Sequence, residues 1–271
     1  MFDWFDEFSV VWDFRHERER NEAAAPKLAS ETRALVDRAT RDLGLQDTLP
    51  PARRRYDHVL ILGGLARGCL ARPLHAAGLI ASGDVKTGDV TAIGAFRPVN
   101  ERERPILDEF RLATAETEFD VMEAGMRRAF ALDRYPHVDS GGEWSDGSRW
   151  QANEYTLDGG TRVRVAAAPS PEPGRRANTG DTYEWLAAVK RAFTPGQSIL
   201  IVTTFHYRLY QLADAIRILG LPHHLDVDAV GITPGIVDPR LAWEPTPAAL
   251  LQEARSSVGA LKQLYLAVAT S

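Results

Sequence analysis

Short apolar runs alternate with amphipathic segments along most of the chain. Runs rich in β-branched residues and leucine are typical of strands that are buried on both faces. Such runs occupy residues 56–64, 90–96, 162–168, 198–204 and 226–232. Apolar residues at helical spacing predict helices at residues 69–81, 114–131, 179–193, 207–219 and 247–268. This alternation predicts an α/β, Rossmann-like fold, which is a doubly wound and mostly parallel sheet.

Two segments lie outside this alternation. Apolar residues recur at helical spacing from Lys27 to Gly44 before two prolines interrupt the pattern, so residues 1–50 are interpreted as a helical N-terminal extension. The main domain then spans residues 51–271. Residues 139–160 are rich in Gly, Ser, Asp and Trp, and Asp158-Gly159-Gly160 predicts a hairpin turn. This segment is interpreted as a small inserted β-ribbon that leads into the strand at 162.

Composition narrows the function classes. The chain has 271 residues, 44% of them hydrophobic, and a formal net charge of -5, which argues against a nucleic-acid-binding surface. The single cysteine, Cys69, excludes an internal disulfide and fits a reducing compartment. Acidic residues occupy the first positions, where a signal peptide needs basic ones, and no apolar run is long enough to span a bilayer. We therefore expect a cytoplasmic protein without membrane attachment.

The first seven residues are rich in Phe and Trp but are interrupted by acids. An anionic membrane surface would repel these acids, so we expect the segment to pack on the body of the protein or on a second subunit. The second case would give a homodimer formed through the N-terminal helix.

Three loops follow predicted strands at the edge of the sheet where ligands bind in such folds. The first begins with Gly63-Gly64 and continues through Arg67, with Arg72 one turn later. Glycines let a ligand approach the backbone, and the start of the next helix offers amide groups to an anion. A tight turn that needs glycine explains the pair equally well. The spacing of the glycines is not that of a dinucleotide fingerprint.

The second loop carries Arg175 and Arg176 directly before a predicted helix. Asn178 is a good helix cap, and Asp181 three residues later completes a capping box, which needs no function. Two arginines beside a helix start nevertheless favour an anion, with Thr179 as an additional donor.

The third loop follows the strand at 198–204 and contains Thr204, His206 and Arg208. A histidine at this edge of the sheet suits proton transfer near neutral pH. The pair His223-His224 precedes a strand, which is the wrong edge for a site, so no metal is expected.

The order of these motifs resembles that of the DUF218 family, which includes the YdcF and SanA proteins. The matching segments are Val59–Gly64 with Arg67 or Arg72, Thr117-Glu118, Asn178–Asp181, and Val202–His206 with Arg208. The resemblance implies a Rossmann-like fold and a small-molecule site at the glycine and Asn-Thr loops. YdcF-like members are associated with binding of S-adenosylmethionine. Gly94-Ala95-Phe96-Arg97 replaces the usual Ser-Gly-Gly, which indicates a divergent, soluble member.

The first functional hypothesis is an enzyme that acts on an anionic or nucleotide-like small molecule, with transfer from S-adenosylmethionine as one form of it. Its expected catalytic residues are His206, Glu118 and Asp181. Its expected binding residues are Gly63, Gly64, Arg67, Arg97, Arg175, Arg176, Asn178, Thr179, Thr204 and Arg208. The alternatives are a non-catalytic ligand-binding or regulatory module and an NADP-linked oxidoreductase, in which Arg97 would face the 2′-phosphate.

Overall fold

The computed structural model describes residues 2–14, 26–172 and 174–270. The strands are β1 His58–Ile61, β2 Asp89–Ile93, β3 His137–Gly141, β4 Trp150–Thr156, β5 Arg162–Ala167, β6 Ser198–Thr204 and β7 Asp226–Ile232. The helices are α1 Phe2–Ser9, α2 Ser30–Asp42, α3 Ala66–Ala81, α4 Arg104–Glu109, α5 Glu118–Ala129, α6 Thr179–Glu184, α7 Arg208–Ala215, α8 Leu221–His223, α9 Pro234–Val237 and α10 Pro247–Thr270. Among the residues described, no helix combines the length and apolar character needed to cross a bilayer.

The seven strands form one mixed sheet in the order β3-β4-β5-β2-β1-β6-β7. The five strands from β5 to β7 in that order are parallel, whereas β4 pairs antiparallel with both β3 and β5. The predicted α/β class is therefore confirmed. Strand β2 lies on one side of β1 and β6 on the other, so the strand order reverses beside β1.

Strand β1 shows why both faces of the sheet are covered. Val59 and Ile61 belong to the core on the face of α3 and α5, whereas Leu60 belongs to the core on the face of α6 and α7. All three side chains are buried. Because side chains alternate across a strand, an uninterrupted apolar run buries both faces, as the sequence pattern predicted.

Three helix boundaries differ from the predicted ones. Helix α3 begins at Ala66 rather than at residue 69, because the Glu103 carboxylate accepts the Ala66 N–H at 2.8 Å. Helix α5 begins at Glu118 rather than at residue 114, because Thr117 and Asp120 form a capping box. The helix predicted to reach residue 193 passes after Glu184 into a π-helical turn that ends at Val189.

The N-terminal extension packs on α10. The rings of Phe2 and Tyr265 lie 5.3 Å apart, and Asp6 pairs with both Arg255 and Lys262. Helix α2 also contacts α10. The aromatic segment therefore packs on the body of the protein, which was one of the two expected arrangements. The predicted ribbon is present as β3 and β4, and the turn at 158–160 joins β4 to β5.

A buried polar network lies at the amino ends of the strands, opposite the predicted site. His58 contacts Asp89, with 3.4 Å between Nδ1 and the carboxylate, and Gln197, with 3.0 Å between Nε2 and Oε1. Burial alone would lower the pKa of His58. Its hydrogen bonds to Asp89 and Gln197, with the negative charges of Asp89 and Asp57, outweigh burial and raise the pKa above 6.5.

We expect the His58→Asn variant to lose its stability deficit at high pH. A raised pKa in the folded state stabilises the fold fully below pH 6.5, and this contribution disappears as the pH rises through the folded value. Urea unfolding of both proteins between pH 5.5 and 9 measures it. The gap in free energy of unfolding should narrow with rising pH, and a gap that widens would contradict the assignment.

Candidate functional site

A cavity of about 780 Å³ opens at the carboxyl ends of β1, β2 and β6. This is the edge at which the strand order reverses and where open α/β sheets bind ligands. Most of the residues predicted from the sequence line it: Gly63, Gly64, Arg67, Arg97, Glu118, Arg175, Arg176, Asn178, Thr179, Thr204 and His206. The structure therefore brings residues from five separate segments into one cavity.

Two predicted site residues do not line the cavity. The Asp181 carboxylate accepts the Asn178 backbone N–H at 2.7 Å, so it caps α6. It also pairs with Arg175 at 2.6 Å and so fixes the position of that side chain. Arg208 is the first residue of α7. Arg208 is absent from the lining, although Tyr207, Tyr210 and Gln211 beside it belong to it. Asp181 and Arg208 therefore stay predictions as site residues, and the cavity lining does not include them.

The glycine pair serves the protein's own side chains. A Cβ atom added to Gly63 would collide with the Glu118 carboxylate and would lie 2.7 Å from the carbonyl oxygen of Ile93. At Gly68 the added atom would lie 3.3 Å from the Arg72 guanidinium carbon. The loop is thus short of side chains because two buried charged groups occupy the space. The packing of these two groups is sufficient to explain the need for glycine at Gly63, and the expected approach of a ligand to its backbone stays a prediction.

Arg97 is held by two carboxylates. Its guanidinium donates to Glu103 at 2.8 and 3.0 Å and to Glu118 at 3.1 Å. Glu103 also accepts the Ala66 N–H, so the protein's own carboxylate occupies the first amide of α3. The anion expected at that helix start is therefore an internal one. Because both ends of the Arg97 fork are engaged, the observation that favoured an NADP 2′-phosphate no longer does so.

Glu118 is a buried carboxyl group that lines the cavity and has a shifted pKa. Burial raises its pKa, and the positive charges of Arg97, Arg176 and Arg72 oppose this shift without cancelling it. The pKa therefore lies above its ordinary value of 4.5. A cavity-lining carboxyl group with a raised pKa is suited to proton transfer.

Arg72 is the most deeply buried cation of the site, with 2% of its surface exposed. Its Nη1 donates to the Leu62 carbonyl at 2.7 Å and to the Gly63 carbonyl, and its Nε lies 3.1 Å from the Thr204 hydroxyl. Within the described ranges, no ion pair joins it to a carboxylate and its Nη2 makes no hydrogen bond. Burial lowers the pKa of Arg72, and nearby groups, among them the Cys69 thiol and Glu118, oppose this shift without cancelling it.

The charges that line the cavity have an excess of cations. Three glutamates face six arginines: Glu103, Glu118 and Glu253 against Arg67, Arg72, Arg97, Arg102, Arg175 and Arg176. The formal excess is three, and it becomes two when Asp181 behind Arg175 is included. In a chain of net charge -5, this is a local concentration of positive charge. Such a cleft attracts anions.

Aromatic side chains form one side of the cavity. The His206 ring lies 3.9 Å from the Tyr207 ring and 5.1 Å from the Trp243 ring, measured between centroids, and Tyr207 lies 6.1 Å from Tyr210. We call these four residues the aromatic wall. The Arg72 guanidinium carbon lies 5.8 Å from the centre of the Tyr207 ring, so the wall adjoins the buried cation.

The inserted ribbon supports the arginine loop. In the loop between β3 and β4, the Gly147 carbonyl accepts the Ser170 N–H at 2.9 Å. An added Cβ at Gly147 would lie 3.2 Å from the Arg175 carbonyl oxygen, so the two loops pack closely. The ribbon thereby fixes the loop that carries the second group of cavity arginines.

Sequence reasoning missed several residues of the cavity: Asn100, Arg102, Glu103, Tyr207, Tyr210, Trp243 and Gln252. Tyr207 and Tyr210 lie beside a histidine that was selected, and helical spacing points to them. Glu103 and Trp243 come from segments without a motif, and only the folded chain brings them to the site. Elsewhere, Cys69 is buried and burial raises the pKa of its thiol. No cluster of three metal-ligating side chains occurs within the described ranges.

The structure is that of an α/β protein with a cavity at the switch of strand order, and cations outnumber anions in its lining. Residues 1–44 match the family model described as the Rv3785 N-terminal domain. The chain is 29% identical over 289 aligned positions to the uncharacterized protein Rv3785 of Mycobacterium tuberculosis and to the uncharacterized protein Mb3814 of Mycobacterium bovis. Each alignment covers 96% of this chain and 78% of the relative. No solved structure matches significantly.

These findings overturn the resemblance to the DUF218 family. The relatives that align with nearly the whole chain are Rv3785-type proteins, and the matching family model lies in the N-terminal extension. The strand ending in glycines and the capping box at Asn178 are local solutions that unrelated α/β proteins share. Their order therefore did not identify a family.

We expect Gly63→Ala to destabilise the protein by about 1–3 kcal/mol, because the methyl group has no space beside Glu118 and Ile93. The matched control is Gly78→Ala on the exposed face of α3, where nothing lies within 4 Å of the added atom. That change should stabilise by about 0.4–1 kcal/mol. Guanidinium unfolding measures both, and equal effects at the two positions would contradict the packing described for the glycine loop.

Proposed function

We propose that the cavity binds an anionic small molecule and that the protein is an enzyme acting on it. The observation that carries this proposal is Arg72, a buried guanidinium that forms no ion pair with any carboxylate of the described chain. Glu118 acts on its charge only from beyond ion-pair distance, and that carboxylate is already paired with Arg97. An isolated buried charge is costly, and a bound anion would remove that cost. The positive excess of the lining and the position at the switch of strand order support the same conclusion.

Arg67 and Arg176 are the additional cations that we assign to the ligand. Arg67 is held by the carbonyl oxygens of Arg240 and Ala242 at 3.0 and 3.4 Å rather than by a carboxylate. Arg176 contributes to the field that acts on Glu118. Arg97 and Arg175 form ion pairs with Glu103, Glu118 and Asp181. We therefore assign them to holding the site together.

The proposed chemistry is proton transfer to or from the bound anion or a second substrate. Glu118 is the main candidate because it lines the cavity and its pKa is raised. His206 is the second candidate, since it is buried at the end of β6 and lines the same cavity. Proton transfer by either group would contribute about 100- to 10,000-fold to a rate.

The cofactor proposal is kept at the level of the cavity. S-adenosylmethionine carries a carboxylate that an arginine would bind and an adenine ring that would stack on the aromatic wall, whereas the cationic lining disfavours its sulfonium and ammonium groups. It therefore belongs in the ligand panel, although the family resemblance that suggested it is gone. The single buried cysteine supports a reducing, cytoplasmic setting. The alternative of a non-catalytic ligand-binding module is favoured by one observation, which is that Arg97 already engages Glu118.

The first test is a thermal-shift panel of phosphate, ATP, nucleotide sugars, NADP, S-adenosylmethionine and S-adenosylhomocysteine. A ligand at about 100 times its Kd should stabilise the protein by about 2.7 kcal/mol, or several degrees. We expect the shift to disappear in Arg72→Lys, which loses the planar fork, and to shrink in Arg176→Ala. The control is Arg134→Ala, an exposed arginine paired with Asp158 away from the cavity. Equal shifts in all variants would place the ligand elsewhere.

The second test separates enzyme from binding module. We expect the ligand found above to be converted by the wild-type protein, and Glu118→Gln to lower turnover about 100-fold or more while Kd changes less than threefold. Mass analysis after incubation measures conversion, and calorimetry measures Kd. An unchanged ligand would favour the binding module. Equal losses of turnover and affinity would show that Glu118 only supports binding.

A further inference from the structure

We infer that the anion bound in the cavity is the phosphate of a nucleotide, whose base stacks on the aromatic wall. The inference rests on the proposed function, because it specifies the ligand of the same cavity. The aromatic wall and the buried Arg72 are neighbouring halves of one space, since the Arg72 guanidinium lies 5.8 Å from the Tyr207 ring. A ligand that reaches both must join an anionic group to a flat apolar one.

The volume supports a ligand with two parts. A cavity of about 780 Å³ is within the range of drug-sized and cofactor-sized molecules and far exceeds the space that a bare phosphate fills. Its cations come from α3, from the segment after β2 that carries Arg97 and Arg102, and from the loop before α6, whereas its aromatic rings come from the turn after β6, from α7 and from the segment around residue 243. The cavity thus combines cationic and aromatic side chains from different segments of the chain.

Trp243 is the aromatic residue of the cavity on which a flat ligand group would stack. Trp243 lines the cavity and is 40% exposed, and its ring centroid lies 5.1 Å from that of the buried His206. A partly exposed tryptophan in a cavity offers a stacking surface, and base–aromatic stacking accepts any heteroaromatic ring. Trp243 is the member of the wall that we assign to contact with the base.

The segment that carries Trp243 is held by Arg67, one of the cavity arginines. Arg67 on α3 donates to the carbonyl oxygens of Arg240 and Ala242, the residues just before the tryptophan. Asp238 accepts the Arg240 N–H at 3.0 Å and pairs with its side chain at 2.6 Å. The stacking surface is therefore held in place before a ligand arrives, which lowers the entropic cost of binding.

The test compares adenosine 5′-monophosphate, ribose 5-phosphate and adenosine by calorimetry. We expect the nucleotide to bind at least tenfold more tightly than ribose 5-phosphate. Trp243→Leu should weaken nucleotide binding roughly 5- to 150-fold and change ribose 5-phosphate binding less than twofold, whereas Trp243→Phe should keep most of the affinity. Trp4→Leu, an exposed tryptophan on α1, is the matched control and should change neither.

Each outcome decides between the two proposals. Ribose 5-phosphate that binds as tightly as the nucleotide, or a Trp243→Leu variant that loses both equally, would overturn the stacking inference and leave the anion site standing. Binding of neither phosphate would overturn the anion site as well. Thermal unfolding of Trp243→Leu and Trp243→Phe without ligand shows whether each variant is folded, and the phenylalanine variant keeps the test decisive if the leucine variant is not.

Discussion

The ion pairs of Arg97 with Glu103 and Glu118 are the interaction on which this edge of the molecule depends. Glu103 also caps α3, and Glu118 begins α5, so one guanidinium joins two helices to the end of β2. The three groups are largely buried, and removing one charge would leave the others uncompensated, at a cost of about 3–5 kcal/mol. The shape of the cavity therefore follows from a charge network that the protein closes by itself. Within the described residues, Arg72 forms no ion pair with either glutamate of this network.

The fold was predictable where the pattern is local. Strands β6 and β7 begin and end at the predicted residues, because uninterrupted apolar runs specify strands that are covered on both faces. The start of α3 was not predictable, because its cap is a glutamate 37 positions later in the chain. The sequence likewise could not show why Gly63 must be glycine. The reason is the nearby Glu118 carboxylate, whose proximity only the tertiary structure shows.

The candidate site was predictable as a location but only in part as a set of contacts. The rule that ligands bind where strand order reverses selected the loops that meet at the cavity. The same rule says nothing about which arginines are already engaged. Arg175 and Asp181 form an ion pair with each other, so their charges cancel. Taken singly, each residue type suggests contact with a ligand. Trp243 lies in a segment with no motif, so its contribution depends on the packing of the C-terminal region.

Helix α10 connects two regions that the sequence treats as separate. Gln252 and Glu253 on this helix line the cavity, while Arg255 and Lys262 hold α1. The family match ends at residue 44, whereas the contacts of the extension reach α10 at the other end of the sequence. Cutting the extension away would uncover one side of a helix whose other side is a wall of the cavity. The extension thus supports a wall of the cavity that it does not itself reach, because it packs on the helix that carries Gln252 and Glu253.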